Sequence, residues 1–184
     1  MARFIWVLEG KVFNAHAREK VERVVFGIII VSTSRYEALA RGKQIEDRTG
    51  ELLRKRIEKL GWRVKEKKIV PDDVEAIKQA VLEIVKEVDA VIVSGGSGVA
   101  RSDVTVEALK PLFEKEMPGF GELFRMLSYQ YIGGNAMLSR ATAGVIGQAA
   151  VFITPGSPDG ALLAFDQIIS HCIQHLVYLL RKER

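Results

Sequence analysis

Val24 to Val31 form an unbroken, mostly β-branched run between polar residues, which predicts a strand buried on both faces. Residues 42–60 follow with Leu53, Ile57 and Leu60 on one helical face, and Gly61 marks the stop. Residues 62–70 read as a second strand. Downstream of Pro71, Val74, Ile77, Val81, Ile84 and Val88 recur at helical spacing, the clearest helix in the chain. Residues 89–96 predict a third strand that runs into a glycine loop, and residues 104–115 predict another helix. Leu123, Met126 and Leu127 suggest a short helix followed by irregular chain. Residues 142–156 read as two short strands joined near Gly147 and Gln148. The last helix is expected from Pro158 to Leu180. Its apolar stripe is Leu162, Phe165, Ile169, Cys172, Leu176 and Leu179, with Ser157 suited to cap it and Pro158 to its first turn.

Strands that alternate with helices imply parallel pairing and right-handed crossovers. The predicted fold is α/β: a three-layer α/β/α sandwich with a mostly parallel central sheet. In such sheets ligands bind beyond the carboxyl ends of the strands. Three loops fall there: Ser32 onward, Ser94 to Ser102, and Thr154 to Ser157. Residues 23–184 are expected to form the domain. Residues 1–22 are an N-terminal extension suited to an added edge strand or a cover for a neighbouring subunit.

Composition narrows the picture. The chain has 184 residues, enough for one domain with a sizeable core. Its apolar runs fall far short of the ~18 residues of a membrane span. The first residues lack a signal-peptide layout, so a cytoplasmic location is expected. Cys172 is the single cysteine, which excludes an internal disulfide and a cysteine-based metal site and suggests core packing. The net charge of +4 is spread among interspersed acids and bases. No basic stripe marks a nucleic-acid partner. The positive balance suits an anionic small ligand.

The chemistry concentrates at "SGGSG", Ser94 to Gly98. Glycines let several backbone N–H groups face one concavity, which suits a phosphate, and a following helix N-terminus adds donors. The same string also serves as a plain turn; it lacks the spacing of a P-loop or a dinucleotide fingerprint. Asp103 is either a helix N-cap or a metal ligand. Asp72, with Glu75 three residues on, resembles a capping box, yet its turn should lie on the same rim. Two carboxylates from separate loops could then hold one cation beside a phosphate. Arg101, Arg125 and Arg140 are candidate phosphate partners. His16, His171 and His175 make no convincing site.

The chain from about residue 24 to residue 180 closely resembles the molybdopterin-binding family of molybdenum cofactor biosynthesis, the MoaB/Mog type. The resemblance rests on "SGGSG" with a downstream "SDVT", then "GFGELFR", "MLSRATAG" and "PGSP", and extends back through "GIIIVSTSR" and "KIVPDD". It implies adenylyl transfer: the terminal phosphate of molybdopterin attacks the α-phosphate of ATP, giving adenylyl-molybdopterin and pyrophosphate, with Mg²⁺ required. Molybdenum or tungsten insertion follows, with transient contact to the metal-insertion enzyme. A homotrimer or homohexamer is implied. The catalytic, metal-holding aspartates fall on Asp72 and Asp103. Substrate contacts fall on Ser94, Gly95, Gly96, Ser97, Gly98, Glu122, Arg125, Ser139, Arg140, Pro155, Gly156 and Ser157. Asp47 matches an aspartate of the "D-x-S/T-G" segment. Ser97 stands for the usual Thr, Val106 for a common Pro, and Thr33 for a usual aspartate; Arg101 is displaced by one position. The alternative function is a non-catalytic molybdopterin carrier or oligomeric scaffold.

Overall fold

The computed structural model describes residues 19–182. Its strands are β1 (Val25–Val31), β2 (Arg63–Val70), β3 (Ala90–Ser94), β4 (Lys115–Glu116), β5 (Thr142–Ile146) and β6 (Ala149–Thr154), in one sheet ordered β2-β1-β3-β6-β5-β4. β1 pairs in parallel with β2 and β3, and β3 in parallel with β6. β5 and β4 continue the sheet antiparallel. The expected mostly parallel sheet is present. Its order changes direction at β1 and β3, which places a switch point between their carboxyl ends.

Alternate residues of each central strand enter opposite cores, as a two-residue period requires. Phe26, Ile28, Ile30, Ile92 and Phe152 face helices α2 (Arg48–Lys59), α5 (Pro118–Ile132), α6 (Pro158–Ala164) and α7 (Ser170–Lys182). Ile29, Val31, Val91, Val93 and Ile153 face α3 (Val74–Ile84) and α4 (Thr105–Leu109). These are the three expected layers. The aromatic centre of the first core is Phe26, stacked on Trp62 with centroids 5.8 Å apart and meeting Phe165 edge-on at 6.1 Å.

Several local expectations change. Residues 33–40 form α1 (Thr33–Ala40), which buries no residue and so carries no apolar periodicity to read. α5 is a 15-residue helix, longer than expected. It buries Phe120, Phe124 and Ser128, while Leu123 and Met126, which suggested a short helix, face outward. The helix expected over 104–115 stops at Leu109 with one tighter turn over Lys110–Leu112, where Pro111 withholds an N–H, and residues 115–116 pair with β5 instead.

The carboxyl-terminal helix starts at Pro158 as expected, with Ser157 accepting from the Gly160 N–H at 3.3 Å. Its buried face then departs from the expected stripe. A π turn over Phe165–Ile169 adds a residue, so the face continues through Ile173 and Val177. Cys172 and Leu179, expected inside, are exposed.

Most of the proposed N-terminal extension lies outside the described residues. Its last residues run beside α7, where the Val21 N–H donates to the Gln174 carbonyl at 3.2 Å. Among the described residues no helix is long and apolar enough to cross a membrane.

Phe165, in the π turn, is 1% exposed and packs against Phe26 of β1 and Trp62 just before β2. Phe165→Ala should lower stability by about 3–5 kcal/mol in a urea titration. A loss below about 1 kcal/mol would mean that this aromatic cluster is not central to the fold.

Candidate active site

The carboxyl ends of four strands are tied into one rim. The Ser32 N–H, after β1, donates to the Val70 carbonyl of β2 at 2.9 Å, and the Gly95 N–H, after β3, donates to the Thr154 carbonyl of β6 at 3.1 Å. The Ser94 hydroxyl donates to the Pro155 carbonyl at 2.8 Å, and the Thr49 hydroxyl, at the start of α2, donates to the Gly156 carbonyl at 3.0 Å. All three loops singled out in the sequence therefore meet.

The loop after β3 has an unusual polarity. Gly95 and Gly96 have φ of 117° and 62°, and a Cβ on either would collide, with the Val31 carbonyl and the Thr105 hydroxyl respectively. Four consecutive carbonyls point into the protein: Gly95 accepts from the Thr105 hydroxyl at 2.8 Å, Gly96 from the Thr105 N–H at 3.0 Å, Ser97 from the Arg140 N–H at 2.9 Å, and Gly98 from the Arg140 Nε at 2.6 Å. The N–H groups of Gly96, Ser97 and Gly98 make no hydrogen bond among the described residues. Three donors are left for an external anion.

The two candidate aspartates flank this stretch. Asp72 Oδ1 lies 3.4 Å from where a Gly96 Cβ would stand, and Asp103 Oδ2 lies 2.8 Å from the corresponding point at Gly98. Neither is a helix cap. Asp73 caps α3, accepting from the Ala76 N–H at 2.8 Å, and the N-cap position of α4 is Val104. Each carboxylate is instead held by one oxygen. Asp72 Oδ2 accepts from the Thr33 N–H at 2.9 Å and its hydroxyl at 2.8 Å; Asp103 Oδ2 accepts from the Ala100 N–H at 2.8 Å. The other oxygen of each accepts no hydrogen bond among the described residues. Asp47 plays a different part: it caps α2 through the Gly50 N–H at 2.9 Å, and its second oxygen lies 2.9 Å from the Lys67 ammonium.

A cavity of ≈ 1080 Å³ opens over the loop. Gly95, Gly96, Ser97, Gly98, Asp103, Ser139, Pro155, Gly156 and Ser157 line it. Ser94 lies buried beneath, and Asp72 stands behind Gly96. Glu122, Arg125 and Arg140 are not among the lining residues. Arg125 donates to the carbonyls of Ser139 and Ala141 at 3.3 and 3.1 Å. Arg140 pairs with Glu107 and donates to the Asp103 carbonyl at 2.9 Å. That pairing holds the Glu107 carboxyl below its ordinary pKa. The lining cations are Arg35 on α1 and Arg56 on α2. Arg35 follows the end of β1 by four residues, a position that could have flagged it; nothing in the local sequence marks Arg56.

No group of three or more His, Cys, Asp or Glu side chains among the described residues is arranged to hold a metal. The donor set nevertheless fits Mg²⁺, which takes one or two carboxylates and completes its shell with phosphate oxygens and water. Asp72 and Asp103, each with one uncommitted oxygen and each beside a glycine of the loop, are the residues suited to it.

The family model described as "Probable molybdopterin binding domain" matches residues 27–175. The chain belongs to the molybdopterin-binding domain family. It is 41% identical over 172 residues to molybdenum cofactor biosynthesis protein B of Bacillus subtilis, covering 92% of this chain and 97% of that one. It is 40% identical over 168 residues to a molybdopterin adenylyltransferase of Pyrococcus furiosus, covering 87% and 95%. The crystal structure of the tungsten cofactor synthesizing protein MoaB from Pyrococcus furiosus aligns with a TM-score of 0.77 at 38% identity, covering 88% of this chain and 99% of that one. The family match spans both aspartates, the glycine loop and the α6 start that carries Ser157.

The cradle predicts a sharp contrast between two glycines of nearly equal φ. Gly96→Ala drives a methyl into Thr105, whereas Gly147, φ 60°, has open space around it. Titration with pyrophosphate should show Gly96→Ala losing most of its affinity. Gly147→Ala should bind as the parent does and cost only about 1–2 kcal/mol of stability. Equal pyrophosphate affinity in both variants would contradict the cradle.

Proposed function

We infer that this chain is a molybdopterin adenylyltransferase of molybdenum or tungsten cofactor biosynthesis. It transfers AMP from ATP to molybdopterin and releases pyrophosphate. The observation that carries the reading is the run of three uncommitted amides, Gly96 to Gly98, on the lining of a large cavity, with half-held Asp103 on the same lining and half-held Asp72 beside Gly96. The ≈ 1080 Å³ volume suits a nucleotide and a pterin together. The family's adenylyltransferase and tungsten-cofactor relatives supply the substrates and the two metals.

A phosphate oxygen of the pterin forms a bond to the α-phosphorus of ATP. The bond from that phosphorus to the bridging oxygen breaks, and its electron pair leaves with pyrophosphate. No covalent enzyme intermediate is needed, so the protein's task is positioning and charge compensation. The amides of Gly96, Ser97 and Gly98 hold a phosphate in a fixed orientation. Ser97, Ser139 and Ser157 bring hydroxyls to the lining, which Pro155 and Gly156 share. Asp72 and Asp103 would hold Mg²⁺, which would supply positive charge to offset that of the phosphates. Thr33 keeps Asp72 turned toward Gly96 through its N–H and hydroxyl. Arg35 adds a cation to the lining.

A homo-oligomer, trimer or hexamer, is part of this reading. An apolar strip on one segment supports it: Leu123, Met126, Tyr129, Ile132, Met137 and Leu138 are all exposed along α5 and the turns after it.

Asp103→Asn removes a charge but keeps the hydrogen bond to Ala100. Pyrophosphate release from molybdopterin, ATP and Mg²⁺ should fall by at least about 100-fold, with pterin binding largely retained. EDTA should silence the parent in the same assay, and Mg²⁺ should restore it. Near-normal turnover by Asp103→Asn would remove that residue from metal binding; pterin binding without ATP-dependent product by the parent would make the chain a carrier.

A further inference from the structure

We propose that Arg140 is a positioning residue that shapes the phosphate cradle from behind, not a cation that contacts the phosphate. The inference rests on the reading of Gly96 to Gly98 as that cradle, and it assigns to Arg140 the far end of it: through the Ser97 carbonyl it turns the Gly98 amide, while Thr105, through the Gly95 and Gly96 carbonyls, turns the amides of Gly96 and Ser97.

A peptide unit turns its N–H and C=O in nearly opposite directions, so fixing carbonyls on one side presents amides on the other. Arg140 fixes three carbonyls of the loop: Ser97 through its backbone N–H, Gly98 through Nε, and Asp103 through Nη2. The remaining terminal nitrogen meets Glu107 on α4. Four of the five guanidinium N–H groups thus donate to protein oxygens. Its planar fork joins both ends of the loop, Gly98 and Asp103, which a lysine ammonium cannot do with the same geometry. Arg125 completes the chain of support. It binds the carbonyls of Ser139 and Ala141, on either side of Arg140, and so holds the backbone from which the guanidinium projects.

The test compares Arg140→Lys with Arg140→Gln in the full chain. Circular dichroism and thermal unfolding confirm that each variant folds. Pyrophosphate affinity is measured by calorimetry, and exchange of the Thr105 and Asp103 amides by hydrogen-exchange NMR without ligand. Those amides donate to Gly96 and Ala100 and report on loop order directly. Both variants should bind pyrophosphate roughly 10-fold more weakly, as expected when charge-assisted geometry is lost. Both should also exchange faster at Thr105 and Asp103, and lysine should rescue neither property. If Arg140→Lys restores pyrophosphate affinity, or if unliganded exchange is unchanged while affinity falls, Arg140 contacts the phosphate and the proposal is wrong. Should either substitution leave both readouts at parent values, the clamp has no role. If the parent itself binds no pyrophosphate, the cradle reading fails, and with it the proposal, which the exchange data alone do not rescue. Should a variant not fold, Glu107→Gln replaces it: weaker pyrophosphate binding supports the clamp, and unchanged or tighter binding opposes it.

Discussion

The fixed direction of four peptide carbonyls is the constraint on which this site depends. Residues 95–98 point every carbonyl at Thr105 or Arg140, and only glycine backbone can follow that path past Val31 and Thr105. Donors without a partner among the described residues would be wasted in a turn that served structure alone. Here they are held in place before any ligand arrives, so an anion meets amides whose ordering cost has already been met in folding.

The sheet explains why the carboxylates stand where they do. β1 lies between β2 and β3, so the loops after these three strands are neighbours although their residues are distant in sequence. Thr33 follows β1 and Asp72 follows β2, and their reciprocal hydrogen bonds cross that gap; the Asp72 N–H also donates to the Thr33 hydroxyl at 2.9 Å. Asp103 arrives by the loop's own closure onto Ala100. Two like charges beside an anion cradle are unfavourable in isolation. In the proposed reading, a divalent cation held by these carboxylates would offset that repulsion.

The architecture was legible because the central strands are uninterrupted apolar runs and α3 repeats its apolar residues at helical spacing. The loops at the strand ends were legible through their Gly, Ser and Pro content. What was lost follows from physics that periodicity does not carry. α1 has no buried face to announce it. The π turn at Phe165 shifts every later position, so Cys172 was assigned to the side that Ile173 occupies. Local sequence left capping and ligation open for both aspartates; only coordinates show that Asp73 takes the cap and frees Asp72. The arginines are the clearest case. Arg125 and Arg140 matched family motifs as substrate contacts, yet they bond backbone carbonyls and, for Arg140, Glu107, while Arg35, at the end of the matched "GIIIVSTSR", and Arg56 line the cavity without having been singled out.

The central claim is that one anion and one divalent cation are held together at this rim. A crystal structure with a non-hydrolysable ATP analogue and Mn²⁺, located by anomalous scattering, tests it most directly. The account predicts phosphate oxygens within hydrogen-bond reach of the Gly96, Ser97 and Gly98 amides, and the manganese peak between the carboxylates of Asp72 and Asp103. Phosphates seated away from those amides, or a metal touching neither aspartate, would contradict it.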